Sequence, residues 1–110
     1  MAGKYQIETF KRDNLLLDII FQRKGKENII SAKEITTILN ENGFKTKQDC
    51  IHQIVRRIIL ERRVPICSLN YKGYFWATTK DEIQMSVDHL QSRIAEMQKR
   101  IDVLKSFIIE

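Results

Sequence analysis

No stretch of this chain is apolar enough to cross a bilayer. The longest hydrophobic runs, Leu15 to Phe21 (broken by Asp18) and Ile58 to Leu60, fall far short of the ~20 residues a membrane helix needs. The opening Met-Ala-Gly-Lys-Tyr-Gln-Ile-Glu holds no apolar signal region, so a cytoplasmic location is expected. Cysteine is scarce as well. Cys50 and Cys67 are well separated and belong to no ligand-spaced cluster, which argues against a disulfide or metal site and for two small packed side chains. Catalytic groupings are missing too. His52 and His89 stand far apart, no Cys-His or Ser-His-Asp spacing occurs, and there is neither a Gly-rich phosphate loop nor a ligand-spaced acid cluster. The expectation is a protein that binds rather than catalyses, with no cofactor and no metal.

What is present is one modest core and a focused charge. At 110 residues, 43% hydrophobic and 30% charged, the chain has room for one small core and no second large domain. Between Lys45 and Lys72 lie seven basic residues (Lys45, Lys47, Arg56, Arg57, Arg62, Arg63, Lys72) and two acids (Asp49, Glu61), a local balance of +5 that equals the net charge of the whole chain. The positive field is thus concentrated on one structural unit, as a surface that meets phosphate requires.

Local signals divide that unit into elements. After a basic lead-in from Lys4 to Arg12, apolar residues at Leu16, Leu17, Ile19, Ile20 and Phe21 predict a first helix from about Asp13 to Arg23, capped by Asp13 or Asn14. Lys24 to Asn28 reads as a loop and Ile29-Ile30 as a minimal strand. Ser31 and Glu34 form an S-x-x-E capping box, with Ile30 and Ile35 as its hydrophobic staple, and start a second helix that buries Ile35, Ile38 and Leu39. Asn42-Gly43 ends it, and Phe44 folds back. A third helix follows at once, with Thr46 as N-cap, Asp49 in its first turn, and apolar residues at Ile51, Ile54, Val55, Ile58 and Ile59. It stops near Arg63 because Pro65 disfavours helical geometry at Val64. Val64 to Ser68 and Tyr74 to Ala77 then read as two strands around the loop Leu69 to Gly73. The fold class expected is mainly α with a small β-hairpin.

The capped helix from Ser31, the Asn42-Gly43 turn, the basic helix from Thr46 and the hairpin from Pro65 to Ala77 together resemble winged helix-turn-helix DNA-binding domains, over roughly Asp13 to Ala77. The hairpin is similar to that of small winged-helix proteins from bacteriophages and mobile elements. The resemblance implies a DNA-binding unit over residues 1–78, although winged helices also serve as protein-binding modules.

Residues 79–110 carry a different pattern. Ile83, Val87, Leu90, Ile94, Met97, Ile101, Leu104 and Ile108 are spaced four, three, four, three without a Pro or Gly, which is a heptad seam. Val87, Ile94, Ile101 and Ile108 take position a, with Ile83, Leu90, Met97 and Leu104 at d, the β-branched-a, Leu-rich-d pattern that favours a parallel two-stranded coil. A coiled-coil helix about 39 Å long is expected to form a homodimer. Charges at its edges leave parallel and antiparallel pairing both open. Packing against the partner's first helix, or folding back on the chain's own domain, are the alternatives.

On the third helix, the inward set leaves Gln48, His52, Gln53 and Arg56 for base contact, since Gln matches adenine and Arg guanine in the major groove. Lys45, Lys47, Arg57, Arg62, Arg63 and Lys72 are the expected phosphate contacts, and Lys72 with Asn70 and Tyr71 forms the wing tip. Lys4, Lys11 and Arg12 read as a minor-groove arm or a disordered terminus. Trp76 is read as packing, not as a stacking platform for bases. The function expected is a sequence-specific double-stranded DNA-binding homodimer, a transcriptional regulator or phage replication or regulatory factor. The alternatives are an adaptor or inhibitor that grips a host protein, and a nonspecific architectural DNA protein.

Overall fold

In a computed structural model, which describes residues 3–69 and 72–108 (Lys4 and Tyr5 by backbone alone), four helices surround a two-stranded antiparallel hairpin. They are α1 (Lys4–Phe21), α2 (Ala32–Glu41), α3 (Gln48–Arg62), β1 (Ile66–Ser68), β2 (Tyr74–Trp76) and α4 (Lys80–Ser106). No helix among the described residues is long and apolar enough to cross a membrane.

The second helix begins and ends as its sequence dictates. Ser31 Oγ accepts the Glu34 N–H at 3.1 Å, and the chain leaves through a Schellman turn. There Phe44 N–H donates to the Leu39 carbonyl at 2.9 Å and Gly43 N–H to Asn40 at 3.1 Å, with Gly43 at φ +86°. The strands are shorter than the expected Val64 to Ser68 and Tyr74 to Ala77, and three helix boundaries also differ from expectation. First, α1 starts nine residues early, at Lys4 rather than Asp13, so Lys11 and Arg12 are helical and form no loose arm. Its N-terminal half exposes Ile7 and Phe10, which gives no buried periodicity to read. Asp13 and Asn14 are not caps: Asp13 is buried in mid-helix, and Asn14 accepts a hydrogen bond from Arg62 at 2.9 Å. Second, Lys47 is the N-cap of α3 and supplies no side-chain bond. Thr46 is instead held by Asn40, which accepts from its N–H at 2.9 Å and donates to its carbonyl at 3.1 Å. Third, the helical part of the last segment ends at Ser106, so Ile108 lies in the turn beyond it.

One core lies between α1, α2, α3 and the hairpin, built on Leu16, Ile20, Ile35, Leu39, Ile51 and Ile58. Burying such side chains contributes about 1.5–3 kcal/mol each, before entropy is counted. Ile30 extends the sheet, exchanging backbone bonds of 2.9 and 2.8 Å with Tyr74. Both faces of the hairpin are covered. Tyr74 joins the main core, while Cys67, Phe75 and Ala77 form a second cluster under Met85 of α4. Trp76 is half-buried and meets Phe21 edge-on at 4.9 Å, in a packing role. Cys67 is buried as expected, but Cys50 is exposed on α3.

The start of α4 is fastened by one carboxylate. Thr79 Oγ1 caps Glu82 N–H, and Glu82 is itself buried. Its Oε1 accepts from Thr78 N–H at 2.8 Å and its Oε2 from Lys26 N–H at 2.7 Å, joining the loop after α1 to the end of the hairpin. These backbone donors hold the Glu82 carboxyl below its ordinary pKa. The stability it adds is therefore full above about pH 4.5, the unfolded value, and is lost as pH falls through the lower folded one. Glu82→Ala should remove most of that acid-side slope, measured as urea midpoints between pH 3 and 6.

Met85 and Ser86 lie against the hairpin, and farther along α4 Arg93 is half-buried with its charge reaching His52 on α3. The α4 seam residues from Ile83 to Leu104 are 38 to 63% exposed.

Candidate nucleic-acid interface

The outer surface of α3 is fixed by what the helix buries. With Ile51, Ile54, Val55 and Ile58 turned into the core, Gln48, His52, Gln53 and Arg56 are all exposed. Gln48, His52 and Arg56 recur every fourth residue and share one stripe. Gln53 lies farther round, in line with Asp49. Lys45 and Lys47 stand exposed at the N-terminal end of the stripe, Arg63 at its other end and Lys72 in the hairpin loop. Arg63 is the helix C-cap, in the left-handed conformation at φ 53°. Asn70 and Tyr71 lie outside the described residues, so the expected wing tip rests on Lys72 alone.

His52 ties this stripe to the hairpin. Its Nε2 is 2.9 Å from the Arg56 guanidinium and its Nδ1 is 3.2 Å from the Tyr74 hydroxyl. A guanidinium only donates, so Nε2 accepts and the neutral ring carries its proton on Nδ1, facing Tyr74. Partial burial, with the positive charges of Arg56 and of Arg93 on α4, pushes the His52 pKa below 6.5. The ring is neutral at pH 7, and protonation would displace Arg56 from Nε2.

Two of the expected phosphate contacts, Arg57 and Arg62, are half-buried and bind partners within the fold. Arg57 binds buried Asp13 at 2.7 Å and Glu61 at 3.1 Å. Burial works against its charge, but the hydrogen bonds and charges of Asp13 and Glu61 outweigh it and raise its pKa. Arg62 donates to Asn14 at 2.9 Å and lies over the Phe10 ring at 5.2 Å. Both side chains fasten α3 to α1. Arg57→Ala should therefore cost roughly 2–3 kcal/mol, because among the described residues the Asp13 carboxylate then keeps only Arg12, at 3.3 Å. Replacing Asp13 and Arg57 together by leucine should recover much of that loss, read from urea denaturation.

The cations left on the surface are Lys45, Lys47, Arg56, Arg63 and Lys72, none of them in an ion pair among the described residues. Asp49 is the exposed acid in their midst. Among the described residues no group of three His, Cys, Asp or Glu is placed to hold a metal ion. The i,i+4 spacing signals the Arg57–Glu61 pair, but the bond from Arg57 to Asp13 has no local signal, because Asp13 is 44 positions away in sequence. The role of Glu82 has one, the Thr79-x-x-Glu82 spacing before an apolar run. Compared with known protein families, with curated proteins and with solved structures, the chain matches none.

Proposed function

We propose that this chain is a homodimeric, sequence-specific double-stranded DNA-binding protein of winged helix-turn-helix type, serving as a transcriptional regulator or a phage replication or regulatory factor. The observation that carries the reading is the exposed Gln48, His52, Arg56 stripe. It pairs base-reading side chains with Lys45, Lys47, Arg63 and Lys72, none of which is in an ion pair among the described residues. In this reading α3 enters the major groove, with Gln48, Gln53 and Arg56 at base edges. The N-terminal N–H groups of α3 have no side-chain cap, which favours a phosphate beside Lys45 and Lys47. The heptad seam of α4 joins two such units. Two-fold symmetry then calls for an inverted repeat.

Selection from a random duplex library, followed by sequencing, tests this. Enrichment of an inverted repeat is expected; bound duplexes with no shared sequence would reject specificity and leave an architectural role. Affinity should also depend on pH. Phosphates near His52 favour the imidazolium, so binding takes up a proton and strengthens as pH falls from 7.5 to 5.5. His52→Gln should flatten that profile in anisotropy titrations.

One observation favours a protein partner instead. Leu60 is 80% exposed on α3, an apolar group that a phosphate surface does not need. That reading predicts one stoichiometric protein recovered after nuclease treatment, and loss of it in Leu60→Lys.

A further inference from the structure

Lys11 and Arg12 belong to α1, and the fold brings them to the turn that leads into α3. A cleft of about 480 Å³ lies between these segments, lined by Glu8, Lys11 and Arg12 from the helix and by Gly43, Phe44 and Lys45 from the turn. Three cations and one acid thus meet there from parts of the chain far apart in sequence.

Their charges are not equally committed. Arg12 donates from Nε and Nη2 to Asp13 Oδ1 at 3.4 and 3.3 Å, so its charge is shared with a buried carboxylate. Lys11 and Lys45 are exposed, and neither forms an ion pair among the described residues. Gly43, at φ +86°, adds no side chain, and the space that a Cβ would enter there is open. A concave surface with an excess of one charge concentrates its field on whatever enters.

The position of the cleft suits a duplex. Lys45 stands two positions before Lys47, the N-cap of α3, so the cleft adjoins the helix end that the proposed function sets beside a phosphate. The positive surface continues from the α3 stripe through Lys45 to Lys11. The exposed apolar side chain on this part of α1, Phe10, lies instead under the guanidinium of Arg62.

We propose that this cleft holds a backbone phosphate of the duplex, outside the stretch that α3 reads. Lys11 is its principal ligand, and Lys45 links it to the phosphate at the α3 N-terminus. Arg12, turned to Asp13, adds field without contact. Such a contact positions the protein and reads no sequence. The inference rests on the duplex-binding part of the function proposed above, and it lengthens the footprint of each unit by the flank that reaches α1.

The test is anisotropy of the full chain on duplexes of different sequence over a salt series. Lys11→Gln should lower the log–log salt slope by about one and affinity by roughly tenfold at about 0.1 M salt, by the same factor on each duplex. Lys11→Arg should keep most of the affinity. Lys105→Gln, the same charge change in the last turn of α4, should leave the slope in place. An unchanged slope in Lys11→Gln, or an equal fall in Lys105→Gln, would overturn the site. As a second readout, duplex should shift the amide NMR signals of Lys11, Gly43 and Lys45, and Lys11→Gln should lose those shifts while keeping the ones along α3. Inorganic phosphate alone, at millimolar concentration, should not saturate these signals; saturation would assign the cleft to a free phosphate and overturn the duplex contact. No duplex binding by the folded parent would overturn the site and the functional reading together. Parent binding with a silent Lys11→Gln would overturn the site alone.

Discussion

Replacing Lys47 and Arg56 together by glutamate is expected to lower affinity for the selected duplex by roughly a hundredfold or more. Each contact of this kind is worth about 1–3 kcal/mol, and reversing the charge adds repulsion from phosphate. The log–log salt slope should fall by about one, for the phosphate contact of Lys47, and sequence preference should relax where Arg56 reads a base. Stability should hardly change. Both side chains are exposed, neither forms an ion pair among the described residues, and the hydrogen-bond partner of Arg56 is the surface residue His52. Affinity within threefold of the parent, with the urea midpoint unchanged, would remove the α3 stripe from the binding surface. Arg57 is deliberately left in place. Truncating it would confound binding with the stability it provides through Asp13.

Gly73→Ala should produce the largest loss of stability. A Cβ at this position would stand 2.3 Å from the Ile30 carbonyl oxygen and 2.8 Å from its carbon. Both are backbone atoms, so no side-chain rotation relieves the overlap. The strand pairing between Ile30 and Tyr74 would have to open, and with it the seat of the hairpin on the main core. A cost of order 3–5 kcal/mol is expected, against a total of about 5–15 kcal/mol for a domain. The melting temperature should drop by roughly 10–20 °C. DNA affinity should fall with it, because Tyr74 positions His52 and the hairpin carries Lys72. A change of less than about 3 °C would mean that the Ile30–Tyr74 pairing does not hold the hairpin in place.

The elements legible in the sequence are those whose boundaries are written locally. Ser31 and Glu34, Asn42-Gly43 and Pro65 each act within a few residues, and α2, the following turn and the end of α3 fall where they indicate. The first helix was only half legible. Gly3 precedes it without a side-chain cap, and Ile7 and Phe10 stay exposed, so the apolar period becomes visible only from Leu16. Asp13 resembles a cap because short acids favour caps, yet its carboxylate answers Arg57 across the core edge.

The same limit applies to the surface. Arg56 and Arg57 are neighbours in sequence, but about 100° of helix rotation separates them. One points outward beside His52, and the other is held against α1 by a contact that local spacing does not encode. A count of basic residues therefore overstates the charge available on the outer face of α3. The last helix, by contrast, was legible from its unbroken apolar period without Pro or Gly, and α4 spans Lys80–Ser106 with its apolar residues exposed.

The central claim is that the exposed α3 stripe and its cations bind duplex DNA. The most direct measurement is fluorescence anisotropy of the folded protein against a mixed-sequence duplex and an acidic non-nucleic polymer such as polyglutamate, over a salt series. The account predicts duplex binding with a steep salt slope and a clear preference over the polymer. Absence of duplex binding at low salt, from protein shown to be folded, would contradict it.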